Sequence, residues 1–193
     1  MATPKILVFA GSARSESLNK KLAHVAANAV RDAGAEATFI DLEDYPMPVY
    51  HGDLEEKSGL PENCRRLKQV FLEHDALLLV SPENNASVSA LMKNTLDWIS
   101  RQDGEQSGLL PYKGKVAALM AASPGGFGGL RGLVHLRQIL QNFNVLVLSE
   151  QFVLPRAHEA FSENNVLKDT KQSVAISALA QRLVAVTTKI QLS

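Results

Sequence analysis

Three stretches of this chain are apolar almost without a break: ILVFA after Lys5, ALLLV from Ala76, and VAALMAA from Val116. A strand with one wet face alternates apolar and polar residues. A strand without that alternation must be covered on both faces, as the central strands of a parallel sheet are. Shorter runs at 37–42 and 145–148 join those at 5–10, 76–81 and 116–122, making five expected strands. Between them the spacing changes to the helical period. Leu18, Leu22, Val25, Ala29 and Ala33 mark one face of a segment from 17 to 33, and similar patterns cover 62–74, 88–101, 129–142 and 170–189. Strand and helix thus alternate from end to end, and right-handed crossovers place helices on both faces of the sheet.

That count fits an α/β chain with a flavodoxin-like, doubly wound sheet of five parallel strands in the order 2-1-3-4-5. Periodicity alone fixes the class and leaves the order open. A length of 193 residues, 46% of them hydrophobic, suffices for one well-covered core and is short for two, so 1–193 reads as a single domain. Twenty Lys and Arg balance twenty Asp and Glu, so no net field draws the protein to nucleic acid or an anionic membrane. Any anion it binds must be held locally. The single cysteine, Cys64, rules out an internal disulfide framework and a cysteine-based zinc site. The five histidines, at 24, 51, 74, 135 and 158, lack metal spacing, and there is no G-x-S-x-G nucleophile turn. With no signal-peptide pattern and no run approaching a membrane span, the expected location is cytoplasmic.

Ligands of such sheets bind outside the carboxyl ends of the strands, and three expected strand ends there carry unusual residues. After the first comes GSARSESLNK, in which Ser12, Arg14, Ser15, Ser17, Leu18 and Asn19 enter a helix. A helix N-cap needs one Ser or Asn. The excess of donors, with the guanidinium and the exposed N–H groups of the first turn, suits a phosphate. With only Gly11 present, neither a dinucleotide fingerprint nor a P-loop is formed, so the turn reads as a cradle for one phosphate group. After the third strand, Ser81-Pro82-Glu83-Asn84-Asn85 is a turn that could hydrogen-bond the edge of a flat heterocycle, although Asn-rich turns are common. Lys93 and Asp97, four apart on the next helix, read as a surface pair and Trp98 as a core or interface residue. After the fourth strand, Ser123-Pro124-Gly125-Gly126-Phe127-Gly128-Gly129 would let backbone approach a ligand closely.

Two connections are long. The first, 43–61, leaves the carboxyl edge and contains Pro46, Pro48 and Tyr50, too apolar for a mere linker. The second, 102–115, lies at the opposite edge and reads as a solvated connection.

The stretches GSARSESLN, PENNASVSALMKNTLDWISR and SPGGFGGLRGLVHLRQIL together resemble the NADPH-dependent FMN reductase family, which includes quinone, chromate and azo-dye reductases; the similarity runs from about Lys5 to Val153. The first motif, S-x-R-x-x-S-x-N, is matched at Ser12, Arg14, Ser17 and Asn19, which implies contacts to the phosphate of FMN. The second, usually P-E-Y-N-x-S, implies that Pro82, Glu83, Asn84 and Asn85 run along the isoalloxazine, with Ser123, Gly125 and Gly126 flanking the ring from the third turn. Asn84 stands where the family has tyrosine, which implies a wider or more polar pocket. The resemblance also implies a homodimer, in some members paired into a tetramer, with the 43–61 loop walling a neighbouring site.

The expected function is therefore an enzyme that passes two electrons from NADPH or NADH through bound FMN to a quinone-like, flavin, chromate or azo acceptor. The cofactor carries the chemistry, so no catalytic acid or base is demanded of the chain. The rival readings are a flavodoxin-type electron carrier and an FMN-binding protein without turnover.

Overall fold

A computed structural model describes residues 3–192. In chain order the elements are β1 (Lys5–Ala10), α1 (Leu18–Asp32), β2 (Glu36–Ile40), α2 (Gly52–Ser58), α3 (Glu62–Leu72), β3 (Ala76–Val80), β4 (Glu83–Asn84), β5 (Ser87–Val88), α4 (Ala90–Ile99), β6 (Val116–Ala122), α5 (Leu130–Asn142), β7 (Leu146–Leu154), α6 (Ala157–Ala160) and α7 (Thr170–Gln191). The main sheet has the order β2-β1-β3-β6-β7, and every neighbouring pair is parallel. Counting only these five strands, this is 2-1-3-4-5, the flavodoxin-like arrangement. The chain winds outward from β1 to β2 and then returns to place β3 on the other side of β1. Winding therefore reverses at β1 and β3, and a crevice opens beyond their carboxyl ends.

The continuous apolar strands serve two cores at once. Ile6, Val8, Leu78, Val80, Ala118 and Met120 face α1 and α7, while Leu7, Phe9, Leu77, Leu79, Leu119 and Ala121 face α3, α4 and α5. Helix α1 buries Leu22, Ala23, Ala26, Ala27, Ala29 and Val30, a stripe to one side of the expected face, whose Leu18, Val25 and Ala33 are only half-buried. Ser17 caps its start by accepting a hydrogen bond from the Lys20 N–H at 3.3 Å, and the chain leaves its end through Gly34 at φ +88°.

Strand β7 runs to Leu154, well past the expected stop at 148. The polar Ser149, Glu150 and Gln151 interrupt its apolar pattern where the register jumps, from Ala117 opposite Val147 to Leu119 opposite Gln151. Arg137 of α5 fastens this irregular stretch, donating to the Leu148 carbonyl at 2.6 Å and to Gln151 Oε1 at 3.1 Å.

Both long connections are packed. Asn94 and Trp98 donate to the Pro48 carbonyl at 2.9 and 2.8 Å, and Glu55 of α2 pairs with Arg101, so the 43–61 segment is strapped across α4. The 102–115 segment is no mere solvated connection. It delivers Tyr112 into the core, where the ring is wholly buried and its hydroxyl donates to the Leu96 carbonyl at 3.0 Å. Among the described residues, no helix is long and apolar enough to cross a membrane.

Candidate functional site

Helices α1, α4 and α5 begin at the carboxyl edge of the sheet beside the crevice, and each presents N–H groups that its own turns cannot satisfy. Their treatment differs. At α4, Ser89 accepts from the Met92 N–H at 3.1 Å and donates its hydroxyl to the Gly11 carbonyl at 2.6 Å, tying this helix to the base of the first turn.

At α5 the partner is a carboxylate. Glu83 Oε2 accepts from the Arg131 N–H at 2.9 Å and the Gly132 N–H at 3.3 Å, while Oε1 accepts from Arg131 Nε at 2.8 Å and from Nη2. Burial pushes the Glu83 carboxyl up, but the bonds from Arg131 and Gly132 outweigh it and hold the group below its ordinary value.

At α1 much less is spent. Ser17 satisfies only the Lys20 N–H, and among the described residues no carbonyl accepts from the N–H of Leu18 or Asn19. The Arg14 guanidinium is exposed and has no hydrogen bond or ion pair among the described residues. Lys20 is different: its ammonium is buried, donates to the Ala13 carbonyl at 3.2 Å and pairs with Asp41 at 2.6 Å. Burial lowers its pKa, but bonds and attraction to Asp41 and Glu43 raise it above the ordinary value. Lys20 therefore shapes the turn from behind and presents no charge to the crevice.

Asn19 is buried and also works from behind. Its amide donates to the Ala122 carbonyl and accepts from the Ala122 N–H, both at 2.9 Å, pinning the first turn of α1 to the end of β6. These bonds use one N–H and one lone pair of the side-chain amide, and among the described residues the backbone N–H of Asn19 has no acceptor.

These turns enclose a cavity of about 710 Å³, lined by Gly11 to Arg14 and Glu16 to Asn19 from the first turn, Pro82, Glu83 and Asn84 from the second, Ser89 to Leu91 of α4, Ala122 to Pro124 from the third, and His158. Ser12, Arg14, Ser17, Leu18, Asn19, Pro82, Glu83, Asn84 and Ser123 thus meet at one place. Ser15, Asn85, Gly125 and Gly126 lie outside this lining. Asn85 sits in the tip of the β4–β5 hairpin at φ 50°, followed by Ala86 at φ 63°, and borders a neighbouring groove. The glycines with a steric reason are later in the third turn. At Gly129, with φ +92°, a Cβ would lie 2.7 Å from Ala121 Cβ, and one at Gly132 would lie 2.9 Å from the Ser87 carbonyl oxygen. These glycines let the turn and α5 pack against β6 and the hairpin.

Residues 4–159 match the NADPH-dependent FMN reductase family. The chain belongs to that family. It is 32% identical over 171 residues to a 2-hydroxy-1,4-benzoquinone reductase of a Burkholderia species, covering 87% of this chain and 88% of the relative. It is 33% identical over 180 residues to an NAD(P)H-dependent FMN reductase of Pseudomonas aeruginosa, covering 93% and 92%. The fold superposes on a flavoenzyme NAD(P)H:(acceptor) oxidoreductase of Paracoccus denitrificans with a TM-score of 0.79 at 27% identity, covering 97% of this chain and 98% of the other.

The cofactor of this FMN reductase is FMN and its electron donor is NAD(P)H. The donor set at α1 fits such a ligand: free N–H groups, the hydroxyls of Ser12 and Ser17 and an uncommitted guanidinium converge at one end of a cavity large enough for a nucleotide-sized molecule.

Sequence reasoning missed His158 and Ser89 in the lining. His158 follows β7 and lies 3.2 Å from Glu159. Placing it would have required carrying β7 through its polar interruption to Leu154. Ser89 carries the ordinary signature of a helix cap, and its second bond, to Gly11, has no local signal.

Proposed function

We propose that the chain transfers two electrons from NAD(P)H, through FMN held in the cavity described above, to quinones and related small oxidised acceptors. The observation that carries this reading is the contrast between a filled helix N-terminus at α5 and an open one at α1 within the same crevice. In this reading the N–H groups of Leu18 and Asn19, the hydroxyls of Ser12 and Ser17 and the Arg14 guanidinium hold the phosphate. Pro82, the backbone of Glu83, Asn84 and Ser123 line the ring end. FMN, when bound, accepts two electrons and a proton from the nicotinamide and returns them to the acceptor. Overall, NAD(P)H, a proton and a quinone give NAD(P)+ and a quinol. The residues bind and orient, and none has to move a proton in the chemical step. The Burkholderia relative, named for a benzoquinone substrate, supports quinones as the acceptor class.

The chain is further read as one cytoplasmic domain that pairs with a second copy. Support for pairing comes from the groove beside the cavity, where Val88 and Ile139 lie among Asn85, Lys93 and His135, with Val134 of α5 exposed nearby. Sedimentation of the purified protein tests that part; a monomer at micromolar concentration removes it.

The decisive experiment follows the absorbance of the FMN-loaded protein under anaerobic conditions. Stoichiometric NADPH or NADH is expected to bleach the flavin band within the turnover time, and added benzoquinone to restore it. Failure of both nicotinamides to bleach the flavin, with ready reduction by one-electron donors, would replace this reading with that of an electron carrier.

A further inference from the structure

We propose that Glu83 is a positioning residue that sets the width of the ring end of the flavin cavity by fastening the second turn to the third. The inference rests on the reading of that cavity as the flavin site. Its basis is where the carboxylate's bonds go. The Glu83 side chain is only 8% exposed, and all four of its hydrogen bonds run to α5, to the side chain and N–H of Arg131 and the N–H of Gly132. None returns to its own turn. The only other hydrogen bond between the β4–β5 hairpin and α5 among the described residues is the 2.9 Å contact of His135 Nδ1 with Ser87 Oγ.

The backbone on either side of this carboxylate belongs to the site. Pro82, Glu83 and Asn84 line one wall of the cavity, and Ser123 and Pro124, at the start of the turn leading into α5, line another. The same guanidinium that grips Glu83 lies 5.3 Å from the centre of the Phe127 ring, so the middle of the third turn is drawn into the assembly. Gly132 permits the approach, because a side chain there would collide with the Ser87 carbonyl. The phosphate end is held by other means, Lys20 on Ala13 and Asn19 on Ala122. The two ends of the cavity therefore have separate supports, and loosening one leaves the other in place.

This separation gives the test. Glu83→Gln keeps the shape but replaces one of the two acceptor oxygens with an N–H2 group facing donors it cannot serve, so the hairpin's hold on α5 is weakened. FMN and riboflavin should then both bind more weakly, by the same factor, on the order of tenfold. Arg14→Ala, by contrast, should weaken FMN alone. Dissociation constants are measured by fluorescence quenching on apoprotein, well below the unfolding temperature. A tie that serves stability only would lower Tm and leave both constants unmoved, and that result overturns the proposal. So does a loss confined to FMN. Should Glu83→Gln fail to fold, Arg131→Ala retains the two backbone bonds and is expected to show the same equal loss at smaller size; unchanged constants there overturn the proposal as well. Wild-type protein that binds neither flavin would instead sink the functional reading on which this one depends.

Discussion

The N-termini of α1 and α5 lie at the same edge of the same sheet, each after a strand buried throughout but for Lys5 of β1, and each carries an arginine and a serine- or glycine-rich approach. At α5 an internal carboxylate occupies the N–H groups and consumes the arginine. At α1 a neutral hydroxyl caps one N–H, the arginine is unspent, and the nearby lysine is neutralised by Asp41 and Glu43. A helix start beyond a parallel strand is a ready anion site only if the chain does not bring its own anion. In a protein of zero net charge, the difference between the two termini decides where a phosphate can go.

The comparison breaks if the open terminus can be closed without consequence. Ser17→Asp supplies α1 with what α5 already has, and aspartate is as good an N-cap as serine. The fold should keep its Tm or gain slightly, while FMN affinity falls at least about a hundredfold, roughly 3 kcal/mol, through repulsion and the lost hydroxyl donor. Riboflavin, without a phosphate, should bind within about twofold of wild type by the same reasoning. Equal loss of both flavins would move the phosphate away from α1. Arg14→Ala is the milder form. One charge-assisted bond is worth about 1.5 to 3 kcal/mol, so FMN should weaken by roughly tenfold to a hundredfold and riboflavin hardly at all. An unchanged FMN constant would show that the exposed guanidinium does not reach the phosphate.

Acid should separate the termini in a different way. Because the folded-state pKa of Glu83 is depressed, its stabilisation is fully present above the unfolded carboxyl value, about 4.3. It is lost as pH falls through the lower folded value. The stability gap between wild type and Glu83→Gln, about 1 to 2 kcal/mol near neutrality for a buried charged acceptor, should therefore close in strong acid. Urea midpoints at a series of pH values measure it. A gap that stays constant would mean that the variant acts through packing and not through the charge. Serine at α1 has no such titration, so Ser17→Asp should acquire an acid-sensitive increment that wild type lacks.

The extent to which the sequence disclosed this follows a physical line. Runs such as ALLLV and VAALMAA report burial on two faces directly, and hence the parallel sheet. The surplus of donors in GSARSESLN marked the open terminus, since capping needs only one of them. The closed terminus left no such trace: Glu83 and Arg131 are 48 residues apart, and nothing local says that a carboxylate will cross from one turn to another. The same holds for Asn19, whose amide is taken by Ala122, 103 residues away. Residue type showed which groups could bind an anion; only tertiary pairing showed which remain free to do so. Gly125 and Gly126 illustrate the converse, glycines that flank a site by sequence yet stand outside its lining, while Gly129 and Gly132 serve packing.

The smallest expected effect concerns the hairpin that delivers Glu83 to α5. Its two tip residues, Asn85 and Ala86, both lie in the left-handed region, at φ 50° and 63°. Asparagine tolerates that region; alanine does so at a cost of about 1 to 2 kcal/mol, which glycine escapes, though glycine gives back up to about 1 kcal/mol in unfolded-chain entropy. Ala86→Gly should therefore stabilise the fold by about 0 to 1.5 kcal/mol. The strain persists because the hairpin is held in shape, by its own pairing and by the bonds of Glu83 to α5. If those bonds are the cause, the gain from Ala86→Gly should shrink in the Glu83→Gln background, where the tip is free to relax without help. A double-mutant cycle on urea midpoints measures that coupling. Strict additivity would show that the tip holds its conformation on its own, and that the closed terminus at α5 receives a hairpin already shaped without it.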